Sequence, residues 1–190
     1  MKERKTMPFD KNFVPALRFA VMSDIHIDDE DCIEEQRFAK ALDDLKNLCS
    51  SDERYSGFDA LVIVGDFASR GSEIQMRKVK KILDAGLPAD VRLIMTMASH
   101  EYMTDGEENA LCRFDEIFGL TPDTHAVING FDFIAVTTTG GCHFDEKKRG
   151  FVSAELEKAA ERDSKKPIFF FQHPHITDTV YGSINWGEDE

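Results

Sequence analysis

The sequence predicts a single α/β domain in which short buried strands alternate with amphipathic helices. Three observations carry that reading. Four segments, residues 17–22, 60–64, 91–97 and 167–171, are short, apolar and rich in β-formers. Stretches with apolar residues at helical spacing lie between them. An Asn129-Gly130 pair between two further β-rich runs spells a two-residue hairpin turn. The chain of 190 residues is long enough for one domain with a real core.

The elements follow in order. The first strand, 17–22, reads as buried and runs into Asp24 and His26. If the backbone stays extended there, the two side chains project to one side. The acidic run from Asp28 to Asp31 suits a helix start, where carboxylates complement the dipole. The helix over 32–49 carries Phe38, Ala41, Leu42, Leu45, Leu48 and Cys49 as its core stripe. Gly57 marks a turn over 55–59. The second strand, 60–64, is apolar at every position, as expected where helices cover both faces of a sheet, and it ends in Gly65-Asp66.

A loop over 67–71 leads to a helix over 72–85, with Ile74, Val79, Ile82 and Leu83 facing inward and Gly86 as its C-cap. The third strand, 91–97, ends in Ser99, His100 and Glu101. A polar loop (104–109), a helix over 108–118 closed by Gly119, and the hairpin 125–128/131–137 come next. The charged, Gly-containing segment 138–150 reads as a loop. It precedes a helix over 153–162, with Ser153 as N-cap and Glu155 and Glu157 in its first turns. The last strand, 167–171, ends at Gln172-His173-Pro174-His175.

Composition narrows the function. A formal net charge of -13 argues against a broad nucleic-acid surface, since phosphate contacts supply most of that affinity. A small anionic substrate stays compatible, because a bound metal inverts the local field. The four cysteines, Cys32, Cys49, Cys112 and Cys142, form no Cys-x-x-Cys pair, so free thiols in a reducing compartment are expected. No apolar run reaches membrane-spanning length and no secretory leader is visible, which gives a cytoplasmic expectation. Residues 1–16 read as a polar leader, docking through Phe9 and Phe13, and 17–190 as the domain.

Four separate strands thus end in metal-ligand chemistry: Asp24 and His26, Asp66, His100 and Glu101, His173 and His175. Ligands of open α/β sheets bind beyond the carboxyl ends of the strands. His125 opens a hairpin strand and His143 sits in a loop, so both are read as structural or solvent-facing. Neither Gly-x-Gly-x-x-Gly nor a P-loop follows the first strand, which sets aside a metal-free nucleotide domain.

In this order, each after a strand, Asp24-Ile25-His26, Gly65-Asp66, Ala98-Ser99-His100-Glu101 and His173-Pro174 resemble the calcineurin-like metallophosphoesterases. That family's pattern runs Asp-x-His, Gly-Asp, Gly-Asn-His-Glu/Asp, His before Pro, then Gly-His-x-His. The resemblance spans about residues 17–175. It implies an α/β/β/α layered sandwich and two divalent transition-metal ions (manganese, iron or zinc). It also implies hydrolysis of a small phosphodiester or phosphomonoester by metal-activated hydroxide. Asp24 and His26 match ligands of the first metal, Asp66 the carboxylate bridging both, and His173 a ligand of the second. His100 matches the histidine that contacts phosphate or aids the leaving group and Glu101 its neighbouring acid, so both are carried as catalytic. Arg70 resembles the phosphate-contacting Arg of the Gly-Asp-x-x-Asp-Arg-Gly branch, and His175 is read as a substrate-side residue.

Three departures bear on these expectations. Ala98-Ser99 stands for Gly-Asn, so the usual Asn ligand is a Ser. Ser69 stands where the protein-phosphatase branch has Asp. No Gly-His-x-His block occurs through Glu190. The chain is therefore expected to be the N-terminal portion of a longer metallophosphoesterase, incomplete at its C-terminus and weak in metal binding and turnover. The alternative is a degenerate scaffold that binds a nucleotide or a protein partner with little or no catalysis.

Overall fold

The computed structural model describes residues 12–138, 143–163, 165–176 and 179, which build two three-stranded sheets. The first is parallel, in the order β1 (Phe19–Met22), β2 (Ala60–Val64), β3 (Arg92–Thr96). Parallel neighbours need crossovers, and α1 (Ile33–Ser50) and α2 (Glu73–Gly86) supply them. A short 3-10 helix, Ser99–Tyr102, and α3 (Glu107–Phe118) lead to the second sheet. There β4 (Thr124–Ile128) and β5 (Phe131–Ala135) form the expected hairpin, and α4 (Glu146–Arg162) crosses over to β6 (Ile168–Phe171), which lies parallel to β5. Asn129 and Gly130 both take the left-handed conformation that this turn demands.

Side chains alternate across a strand, and that alternation sorts the core into layers. Leu61 and Ile63 of β2 join Phe38, Leu42, Met76, Val79 and Phe114 from the helices. Ala60, Val62 and Val64 face the other way, onto Phe133 and Ala135 of the second sheet. Phe19, Phe133, Phe169 and Phe171 fill the space between the sheets, with the Phe19 ring 4.9–6.0 Å from the other three in edge-to-face contact. Beyond that sheet, Ile134 and Val136 meet Ala159 of α4. The layers run helix, sheet, sheet, helix, which is the α/β/β/α sandwich that the family resemblance implies.

Several local expectations are corrected. Both faces of β2 are covered, but one of them by a second sheet instead of helices. β1 is an edge strand among the described residues, and Val21 is half exposed. Leu48 and Ile74 point to solvent. The α1 face is set by Phe38, Leu42 and Cys49, and the capping box of Ser72 with Gln75 turns Gln75 and Met76 inward in place of Ile74. Gly86 is the last residue of α2, not a left-handed cap. A Cβ there would come within 2.9 Å of Leu42 Cδ1, so glycine serves the close approach of α1 and α2.

α4 begins seven residues earlier than Ser153, at Glu146. Its N-cap is Asp145, whose side chain accepts from the Lys148 backbone N–H, and Gly150 is absorbed into the helix. Phe13 stays exposed. The expectations for residues 1–11, for 139–142 with Cys142, and for the end of the chain lie outside the described residues.

Candidate metal centre

The first two strands continue to hold each other beyond their ends. Asp24 N–H donates to the Gly65 carbonyl (3.3 Å), His26 N–H to that of Asp66 (3.0 Å) and Ile27 N–H to that of Phe67 (3.0 Å). Asp24, His26 and Asp66 all sit in the left-handed region, with φ of 55°, 52° and 51°. Asp and His are among the few side chains that tolerate it, and such strain gathers at functional sites. The condition of an extended backbone beyond β1 is therefore not met, because β1 stops at Met22. Asp24 and His26 arrive through left-handed turns and enter different side-chain groups.

Those groups are Asp24, Asp66 and His173, and His26, Asp66 and His100, with the potential ligand atoms of each within 4.8 Å of one another. Asp66 belongs to both. Asp24 and His26 remain neighbours across the two groups, with His26 Nε2 3.9 Å from Asp24 Oδ1, so the side chains form one continuous cluster around Asp66. His173 Nδ1 lies 2.8 Å from the Val64 carbonyl, and its Nε2 3.2 Å from Asp66 Oδ2. His100 repeats the arrangement, with Nδ1 2.8 Å from the Ser69 carbonyl, its backbone N–H on Asp66 Oδ1 (3.2 Å) and its ring edge-on to His26 at 4.6 Å. A carbonyl only accepts, so Nδ1 carries the proton in both rings and Nε2 is turned toward the cluster. Metal-ligating histidines are oriented in this way. Imidazole and carboxylate donors together fit manganese, iron or zinc.

Backbone shape explains Gly65. Its φ is +71°, and a Cβ would lie 2.6 Å from Ala98 Cβ and 2.9 Å from His173 Nδ1. Only glycine lets His173, which follows a strand of the second sheet, reach the end of β2 in the first.

Electrostatics tie the shared residue to its neighbours. Burial pushes the Asp66 carboxyl up, but the hydrogen bond and charge of His173 outweigh it and hold Asp66 below the usual range. The same hydrogen bond raises His173 to about 9 against the effect of burial. Without a cation, a proton therefore bridges the pair at neutral pH. Glu101 is wholly buried, and burial lifts its carboxyl to about 7 against the pull of three backbone N–H donors, those of Asp66 (2.9 Å), Ala68 (3.0 Å) and Ala98 (2.8 Å).

The other sequence candidates stand apart from these groups. Arg70 is exposed, its backbone N–H on Gln75 Oε1 and its carbonyl accepting from the Thr104 hydroxyl. His175 is exposed and in neither group, and His143 is exposed as well. His125 is bracketed by Glu155 Oε2 and Asp132 Oδ1, each at 2.6 Å, which makes it structural. Sequence reasoning noted Ser69 only as a departure and missed its role. Its carbonyl orients His100 and its hydroxyl donates to the His26 carbonyl (2.9 Å). Because the first of these contacts uses the backbone, no residue type could have signalled it.

No helix among the described residues is long and apolar enough to cross a membrane. No curated protein matches this sequence. The family model described as calcineurin-like phosphoesterase matches residues 17–190, nearly the whole chain, and with that match the chain belongs to this family.

Proposed function

We propose that the chain is a metal-dependent hydrolase of phosphoric esters, built to hold a pair of divalent transition-metal ions with Asp24, His26, Asp66 and His173. The observation that carries this reading is the presence of Asp66 in both three-residue groups. A carboxylate common to both groups would let them hold a pair of divalent cations together, which would supply Lewis acidity and lower the pKa of bound water.

The remaining work falls to the chain's own residues. His100, with Nδ1 committed to the Ser69 carbonyl, has Nε2 to exchange a proton with a leaving oxygen. Arg70, exposed on the loop after Asp66, offers a planar guanidinium for bidentate contact with phosphoryl oxygens. His175, two residues beyond His173, lies on the substrate side. The substrate is a small phosphodiester or phosphomonoester, manganese is the cation to try first, and the cytoplasm is the compartment.

The test is to load the chain with manganese, dialyse, and count ions by elemental analysis, with Asp66→Asn alongside and hydrolysis of bis(p-nitrophenyl) phosphate as the parallel assay. Metal content and hydrolysis that are measurable in the wild type, if weak for want of the Gly-His-x-His block, and lost in the variant are the expected result. Equal metal content in the two proteins would overturn the reading.

Ser99, which opens the 3-10 helix where the family pattern has Asn, favours one alternative. Its hydroxyl is a shorter and weaker neutral donor, which suits a scaffold that binds a nucleotide or a partner protein with little catalysis. Ser99→Asn separates the two readings. A gain in metal affinity or turnover supports a weakened enzyme, and no change supports the binder.

A further inference from the structure

We infer that Glu101 is a positioning residue, whose buried carboxylate locks together the two loops carrying Asp66 and His100 and thereby sets the spacing of both groups. This rests on the metal reading above, and it moves Glu101 from direct chemistry to the support of that chemistry.

The geometry is specific. One carboxylate oxygen accepts from the backbone N–H of Asp66 and of Ala98, and the other from that of Ala68. Asp66 and Ala68 lie on the loop after β2, while Ala98 leads into Ser99 and His100 after β3. Glu101 therefore reaches back across one loop and pins the other. Asp66 is held in its left-handed turn from both sides, its N–H on Glu101 and its carbonyl on the His26 N–H. His100 is fixed to the same unit through Asp66 Oδ1 and the Ser69 carbonyl.

Gly71 completes the arrangement. Its φ is +70°, and a Cβ there would overlap the Glu101 carbonyl, so the end of the β2 loop is seated directly on the Glu101 backbone. With its oxygens engaged by three N–H donors and no exposed surface, the carboxylate faces backbone and not substrate.

Three donors require an acceptor at both oxygens, which only a carboxylate supplies. In Glu101→Gln one position becomes an NH2 group set against a backbone N–H. Groups that orient metal ligands typically change affinity by about 10–100-fold when altered, and a loss in that range is expected here. Manganese is the probe, with affinity measured by titration and the paired-ion signal of two coupled manganese ions followed by electron paramagnetic resonance. Circular dichroism and a thermal melt establish that each variant is folded at the assay temperature. His125→Ala, outside both groups in its own ion-pair cluster, is the comparator for plain destabilisation.

A folded Glu101→Gln that binds manganese at least ~10-fold more weakly and loses the coupled signal, while His125→Ala keeps both, is the expected result. A folded Glu101→Gln with wild-type affinity and signal would overturn the inference, as would a loss no larger than in His125→Ala. Should Glu101→Gln not fold, Glu101→Asp keeps the charge but falls one methylene short of spanning the loops, and unchanged manganese binding by it would equally overturn the inference. Failure of the wild type itself to bind manganese would instead remove the metal reading on which this one stands.

Discussion

Raising the pH from 7 to 8.5 should tighten manganese binding by about 25-fold or more, chiefly through the proton on His173, with the ionisation of Glu101, raised to about 7, adding to it at the lower end. In the metal-free chain that imidazole titrates at about 9, because its Nε2–H is donated to Asp66. The folded-state value is raised above the unfolded one, so the proton is favoured up to the folded pKa and a cation has to displace it. At pH 7 only about 1% of the imidazole is free, and at pH 8.5 about a quarter is, which gives the ~25-fold change and a plateau only near pH 10. An ordinary histidine, near 6.5, has lost its proton by pH 8. A slope that persists to 8.5 therefore reports the raised group.

Isothermal titration of the protein with manganese, in two buffers of different protonation enthalpy, measures both the affinity and the protons released. Close to one proton per chain from His173 is expected at pH 7, falling toward half near pH 9. His173→Gln removes the titrating group, so its weaker binding should be flat above pH 8. A flat wild-type profile between pH 7.5 and 8.5, with no proton released in that interval, would refute the reasoning. It would mean that His173 does not have to part with a proton for a cation to enter.

Two further outcomes follow from the packing. Gly65→Ala forces a side chain onto a backbone with φ of +71° and drives its Cβ into Ala98 and the His173 ring. A loss of ~2–3 kcal/mol in urea unfolding is expected, with weaker manganese binding alongside it. His125→Ala leaves the buried carboxylate of Asp132 to Arg162 and that of Glu155 to Lys158. About 2–3 kcal/mol of stability should be lost, seen as a lower melting temperature, with manganese affinity unchanged.

The parts of this molecule that follow from side-chain pattern were legible in the sequence, and those set by backbone geometry were not. Five consecutive apolar residues made β2 plain, Asn129-Gly130 gave the hairpin, and Gly119 closed α3 in the left-handed conformation expected of it. The convergence of Asp24, His26, Asp66, His100 and His173 was readable because each follows a strand. Their exact arrangement around Asp66 was not, since it depends on the left-handed turns at Asp24, His26 and Asp66, and Asp or His at a strand end does not announce its φ. The start of α4 was hidden by Gly150, which signals a loop in sequence, while Asp145 capping Lys148 outweighs it in the fold. Gly86 was misread for the related reason that a glycine at a helix end has two uses, and only the Leu42 contact separates them.

That division between side chain and backbone also explains how the centre stands up. A non-glycine residue in the left-handed region costs ~1–2 kcal/mol, and three of the four principal ligand candidates are in it. Left alone, each loop would relax to an ordinary turn and carry its side chain away from Asp66. What opposes this is the ladder running on past β1 and β2, from Asp24 to Ser69, together with the Glu101 carboxylate across the third loop. The imidazoles are fixed in the same way, His173 by the Val64 carbonyl and His100 by that of Ser69. The geometry around Asp66 is thus imposed largely by peptide groups of the sheet ends. Substitutions at Gly65, Gly71 or Glu101, none of them in either side-chain group, should accordingly disturb the centre more than changes at the exposed Arg70 or His175.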